Sequence, residues 1–261
     1  AAYERTRAML VDEGFAPAET AMLVEAFIPG VEVAVEGLMT DGELTVLALF
    51  DKPDPLDGPY FEETIYVTPS RLPDGTQRAI AETTSRMAAA LGIRHGPVHA
   101  ELRINEEDIW PIEVAGRSIG GMCSTILEFG AGMPLEEIIL RHAVGGDLPS
   151  TRRSGQAVGV MMIPIPGEGV LREVGGIAEA CQVPGITGIE ITAPLNQPIQ
   201  PLPEGASYLG FIFATCTEPA EVESALKQAH ARLDIRIAPM LKLRVEGGEL
   251  REQKSGVRPK T

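Results

Sequence analysis

The stretch PVHAELRINEEDIWPIEVAGR, residues 97–117, constrains the fold more than any other part of the chain. Val98, Ala100, Leu102 and Ile104 alternate with His99, Glu101, Arg103 and Asn105, the two-residue period of a strand with one buried face. Trp110, Ile112 and Val114 resume the alternation after Glu106, Glu107 and Asp108, which makes those acidic residues the loop of an antiparallel hairpin. Pairing across that loop matches Ala100 with Val114, Leu102 with Ile112 and Ile104 with Trp110. The same register puts Glu101 directly across from Glu113. Opposed like charges destabilise a sheet, because their Cβ atoms sit only about 5 Å apart. A divalent cation between them would remove the conflict, and Mg²⁺ is usually bound by one or two carboxylates plus substrate phosphates. A solvated hairpin, or glutamates paired with Arg103 or Arg117, accounts for the pattern as well. A slip of one residue would turn every side chain to the other face.

Charge narrows the ligand class. Lys and Arg number 22 against 37 Asp and Glu, giving a net charge of −15 and no basic face for a nucleic-acid backbone or an anionic membrane. Anionic nucleotides remain compatible if a metal carries the positive charge. Cys123, Cys181 and Cys216 are widely spaced and form no CxxC pair, so neither a disulfide framework nor a zinc site is indicated. That usage suits a reduced, cytoplasmic setting. No run of 18 apolar residues and no basic-then-apolar N-terminus is present, so neither a membrane span nor a signal peptide is expected. The chain opens on Ala1 within a helix-like segment, as a fragment or a processed product would.

Alternating elements follow along the chain. AAYERTRAMLVDEG reads as a helix closed by Gly14, and AMLVEAFIPG as a strand entering a turn at Pro29-Gly30. VEVAVEGLM and LTVLALFDK flank a tight turn at Asp41-Gly42. The loop DKPDPLDGP leads to a strand, YFEETIYV, and Asp74 is placed to cap a helix ended by Gly92. PLEEIILRHAV is a helix with Pro134 in its first turn. The polar segment GGDLPSTRRSGQ marks a boundary. VGVMMIPIP, GVLREV, GIEIT and ASYLGFIFATC then read as strands, with helices near GGIAEACQ and EPAEVESALKQAHARL. The fold class is therefore α+β, divided into residues 1–148, a smaller closing unit at 149–245 and a loose tail at 246–261.

LVEAFIPGVEVAVEG, followed at a distance by HAELRI and PIEVAGRSIGG, resembles the C-terminal half of an ATP-grasp catalytic domain. The likeness is to the carboxylate-amine ligase branch, which includes amino-acid ligases, near biotin carboxylases and phosphoribosylglycinamide synthetases. The stretch from PGEGVLREVGG to ALKQAHARL resembles the small domain that closes such ligases. The resemblance implies an antiparallel sheet with helices, ATP with Mg²⁺ or Mn²⁺ as cofactors, and assignments by position. Glu25 would accept from the adenine amino group, the backbone of Ala26 and Ile28 would meet the ring edge, and Glu32 would hold the ribose hydroxyls. Glu101 and Glu113 match the family's metal ligands. Arg117 matches the arginine that contacts the transferring phosphate or the acyl-phosphate, a role suited to its fixed fork. Glu62 and Glu63 lie on a strand bordering the acceptor pocket in amino-acid ligases, where Glu63 could attract a substrate ammonium.

Two departures stand out. Ala115 occupies the position where many members carry an asparagine ligand. The upstream half of the ATP-grasp domain, with its phosphate lysine and glycine-rich loop, has no counterpart before Ala1 and is expected as a partner segment. Lys52 lies on a polar loop facing the cleft, where a solvated lysine is the ordinary reading. His95, His99 and His142 form no triad, although His99 shares the polar face with Glu101.

The expectation is an ATP-dependent carboxylate-amine ligase acting through an acyl-phosphate on a small carboxylate and an amine, with this chain as its metal-bearing part. A biotin-carboxylase-like enzyme and a non-catalytic nucleotide-binding module are the alternatives. Assembly as a homodimer is left open.

Overall fold

The computed structural model describes residues 2–12, 14–16, 21–58, 62–153, 155–205 and 207–240. In chain order the strands are β1 Val31–Thr40, β2 Glu43–Asp51, β3 Ile65–Thr68, β4 Gly96–Ile104 and β5 Ile109–Ala115, then the short β6 Glu128–Phe129 and β7 Met133–Pro134. After them come β8 Ala157–Ile163, β9 Gly169–Gly175, β10 Ile186–Ile191, β11 Pro198–Ile199, β12 Gly210–Cys216 and β13 Asp234–Ala238. The helices are α1 Ala2–Asp12, α2 Asp74–Ala90, α3 Leu135–Ala143, α4 Ile177–Ala180 and α5 Pro219–His230.

An eight-stranded antiparallel sheet runs β10-β12-β8-β3-β2-β1-β4-β5. Strand β1 is buried on both faces because it lies between two layers. Its odd positions Val33 and Val35 meet Ile80 of α2 together with Ala100 and Leu102 of β4. On its other face Ala34 and Leu38 join Phe50, Leu127, Phe129, Leu135 and Ile138. Glu32 and Glu36 share that second face by the two-residue period. Their partners across the ladder are Arg103 and His99, with Glu101 opposite Ala34. The fold thus gathers charged residues from two central strands onto one face.

Asp41 and Gly42 adopt the positive φ expected of the β1–β2 turn, at 54° and 97°. Strand β8 joins β3 over four residue pairs, Ile65 with Met161 through Thr68 with Val158, so the sheet continues past residue 148 without a break. Helix α5 lies against β8 and β12, burying Val222, Leu226 and Ala229 with Ile212 and Ala214. Gly159 permits that close approach: a Cβ there would meet Val222 Cγ1 at 2.5 Å and the Tyr66 carbonyl at 2.9 Å.

Four expectations are corrected. The β4–β5 pairing keeps Ala100 with Val114 and Glu101 with Glu113, but a bulge then sets Leu102 against Pro111, Arg103 against Trp110 and Ile104 against Ile109. Pro111 has no N–H to give to a ladder, and an extra residue, Ile112, absorbs the irregularity. Ile112 therefore lines the cleft and is 44% exposed, where continued alternation would have put it beneath α2. Residues 21–29, read as a strand, pair with no strand among the described residues, and Val24 is 90% exposed. The strand around Glu62 and Glu63 is shorter than expected, beginning at Ile65, where pairing with β8 begins; Tyr60 and Phe61 lie outside the described residues. Asp74 is the first helical residue of α2 instead of its cap, which belongs to Pro73, so its carboxylate acts on the helix dipole from the first turn. The tail at 246–261 also lies outside the described residues.

Candidate active site

Three strands and one loop build the site. Lys52 follows β2 directly, and its ammonium donates to Glu32 Oε1 at 2.7 Å, Glu63 Oε1 at 2.5 Å and Glu101 Oε1 at 2.8 Å. The expected solvated lysine is in fact 5% exposed. Burial disfavours its charge, but Glu63, Glu101 and Glu32 outweigh burial and raise its pKa. An ammonium carries three donors, and here each has a carboxylate. The Tyr66 hydroxyl donates to Glu63 Oε2 at 2.6 Å, and its pKa is raised by burial and then by the charges of Glu63 and Glu101.

Arg103 extends the network. Its Nε donates to Glu32 Oε2 at 2.7 Å, while Nη1 and Nη2 donate to the carbonyls of Ile28 and Leu56, each at 2.8 Å. Its guanidinium also lies over the Phe27 ring, 4.9 Å from the centroid. These bonds fix residues 27–28 beside β1. Both oxygens of Glu32 are engaged, and each keeps a further lone pair for another donor.

A second chain of contacts runs through His99. Nδ1 lies 3.3 Å from Glu36 Oε2 and Nε2 lies 3.5 Å from Glu101 Oε1. Burial would lower the histidine pKa, but contacts with Glu101 and Glu36 raise it to about 9. Burial likewise works against the Glu101 carboxylate, and the His99 contact with the Lys52 charge holds its pKa down to about 2. For the fully buried Glu36 the balance is reversed: desolvation raises its pKa despite His99.

A cavity of about 400 Å³ opens on this network and is lined by Glu25, Ala26, Ile28, Glu32, Glu63, Glu101, Arg103 and Ile112 among others. The structure thus brings the positions expected to meet adenine and ribose to the same cavity as Glu63 and Glu101. Glu113 stands across the ladder from Glu101, half exposed, and Arg117 Nη2 lies 3.5 Å from its Oε1. Glu62 is partly buried, which raises its pKa. Ala115 pairs with His99. His95 and His142 stack on each other at 4.1 Å, apart from this network.

The carboxylate oxygens of Glu32, Glu63 and Glu101 lie close together around the Lys52 ammonium, which already bonds to all three. The hard oxygen donors left for a divalent cation, of the kind that suits Mg²⁺ or Mn²⁺, are Glu101 Oε2 and the half-exposed carboxylate of its ladder partner Glu113. The roles of Lys52, Tyr66, Glu36 and Arg103 were not read from the sequence. The lysine between acidic residues in FDKPD was the available signal, but it gains meaning only once β1, β2 and β4 are neighbours.

Comparisons with known proteins address the same regions. The ATP-grasp domain family matches residues 1–126, and L-amino acid ligase C-terminal domain 2 matches residues 161–238. Residues 1–126 belong to the ATP-grasp family. An L-amino acid ligase structure from Bacillus licheniformis superposes with a TM-score of 0.71 at 28% identity, covering 81% of this chain and 53% of the other. Alanine–anticapsin ligase of Bacillus subtilis is 28% identical over 109 residues, 41% of this chain and 22% of the relative. Protein y4rH of Sinorhizobium fredii is 22% identical over 218 residues, 84% of this chain and 45% of the relative. This chain therefore spans less than half the length of the curated relatives it matches here. No helix among the described residues is long and apolar enough to cross a membrane.

Proposed function

We propose that this chain is the metal-bearing part of an ATP-dependent carboxylate-amine ligase that joins a small carboxylate to an amine through an acyl-phosphate. The observation that carries the reading is the cross-strand pair Glu101 and Glu113 beside a cavity lined by Glu25, Ala26, Ile28 and Glu32. The matches to L-amino acid ligase and alanine–anticapsin ligase support an amino acid as one reactant.

The residues take distinct parts. Glu25 and the backbone of Ala26 and Ile28 meet the adenine, and Glu32 meets the ribose while remaining tied to Lys52 and Arg103. Glu101 and Glu113 hold Mg²⁺ or Mn²⁺. Such an ion, when bound, neutralises phosphate oxygens during phosphoryl transfer. Arg117, half exposed at the end of the hairpin, presents a planar fork to the transferring phosphate or the acyl-phosphate. Glu63, held by Lys52 and Tyr66, offers a negative group to a substrate ammonium. The upstream part of an ATP-grasp domain would close the nucleotide cleft, in a cytoplasmic protein of 1–148 and 149–245 units.

The test is ATP hydrolysis by the full-length protein on addition of paired amino acids, followed by mass spectrometry of the product. Dipeptide formation with ADP release is expected. ADP release that requires bicarbonate and biotin, with no amide product, would replace this reading by a carboxylase.

A further inference from the structure

Glu36 and His99 take no part in the assignments above, yet both are buried beside them. Glu36 is 0% exposed, and its Oε1 has no hydrogen-bond partner. Its Oε2 accepts the backbone N–H of Ile119 at 3.0 Å and faces His99 Nδ1 at 3.3 Å. A buried carboxylate with an idle oxygen destabilises a fold, and an aliphatic pair at these two facing strand positions would be neutral or better for stability. What the pair contributes instead is connection. Ile119 lies two residues beyond Arg117, and His99 Nε2 faces Glu101 Oε1 at 3.5 Å. One buried carboxylate thus ties the loop after Arg117 to Glu101 through a single imidazole.

The contacts at Glu101 are one-sided. Lys52 at 2.8 Å, Tyr66 at 3.4 Å and His99 at 3.5 Å all converge on Oε1. Side chains that hydrogen-bond a metal-ligating carboxylate fix its orientation, and changing such partners typically weakens metal binding about 10- to 100-fold.

We propose that Glu36 and His99 are positioning residues, which hold the Glu101 carboxylate by its Oε1 so that Oε2 is presented to a divalent cation, and which register the Arg117 loop to the same point. This rests on the reading of Glu101 as a cation ligand. The contribution of His99 is then specific to one ring nitrogen, Nε2.

The experiment is Mn²⁺ titration of the full chain followed by electron paramagnetic resonance, with thermal unfolding as a fold control. His99→Asn keeps a donor near the Nδ1 position and loses the one that faces Glu101, so Mn²⁺ affinity should fall about 10- to 100-fold. His99→Gln restores a donor near Nε2 and should recover most of that loss. A residue that merely fills space would not separate the two amides. Should His99→Asn fail to fold, the double variant Glu36→Leu with His99→Leu leaves no unpaired buried charge, and the same loss of affinity is expected of it. Wild-type affinity in the folded variants, alongside lost binding in Glu101→Gln, overturns this proposal and leaves the ligand assignment standing. Undiminished binding in Glu101→Gln overturns the ligand assignment and the proposal together.

Discussion

Lys52 Nζ lies 2.8 Å from Glu101 Oε1, so a buried ion pair ties the residue after β2 to β4 across the intervening strand β1. The Lys52 side chain is 3% exposed and also contacts Glu32 and Glu63. Removing it takes the shared ammonium from three carboxylates at once. Lys52→Met should lower stability by about 3–5 kcal/mol in urea denaturation, the range seen when one partner of a buried pair is deleted. The deficit should shrink as the pH is lowered and the carboxylates take up protons. A loss of stability independent of pH would show that packing, not charge, holds this point.

Glu113 and Arg117 present the opposite case. Both side chains are 56% exposed and 3.5 Å apart, a pair that adds little to stability in water. Glu113→Ala and Arg117→Ala should each change the unfolding free energy by no more than about 0.5 kcal/mol. In the full-length protein each should abolish ligation, measured as ADP release with a carboxylate and an amine. Retained turnover in either variant would remove that residue from the proposed chemistry.

Gly159 marks the contact between α5 and the sheet. A methyl group there would press on Val222 Cγ1 at 2.5 Å and on the Tyr66 carbonyl at 2.9 Å, and backbone has little room to yield. Gly159→Ala should cost about 1–3 kcal/mol by overpacking, read from the denaturation midpoint. An unchanged midpoint would mean that α5 shifts freely.

His142 should make stability depend on pH. Burial, with the charge of His95 adding and Asp41 opposing, holds it below its ordinary value of 6.5. A depressed histidine binds its proton more readily when unfolded, so its contribution is full above about pH 6.5 and is lost as the pH falls through the folded-state value. Its Nε2 is 2.9 Å from the Thr40 hydroxyl, which gives the neutral ring a partner. The advantage of the wild type over His142→Phe in thermal midpoint should narrow between about pH 7.5 and 5.5. A gap that widens on acidification would reverse the sign of this account.

The sequence carried the Glu101–Glu113 pairing because a two-residue period fixes which side chains share a face. It did not carry the bulge at Ile112, where the missing N–H of Pro111 changes the pairing but not the composition of the strand. Trp110 and Ile112 were misplaced for that reason. The turn at Asp41-Gly42 was legible because its conformation depends on local residues. The Lys52 cluster was not, because its partners lie 20, 11 and 49 residues away and meet only when β1, β2 and β4 assemble. Glu36 and His99 are ladder partners, a relationship invisible until β1 is known to pair with β4. Residues 21–29 have the composition of a strand, but a strand also needs a neighbour to bond with.

The join between β3 and β8 has a consequence for how such chains are shuffled. β3, inside the ATP-grasp match, and β8, which runs into the C-terminal match at Met161, meet along a ladder of four residue pairs, with Met162 N–H reaching the Thr64 carbonyl at 2.7 Å as well. Separating them would leave two raw strand edges, each a template for aggregation. A C-terminal segment transplanted from a related chain must therefore match β3 in strand length, twist and the small residue at Gly159. The modules are exchangeable only as a pair of complementary edges.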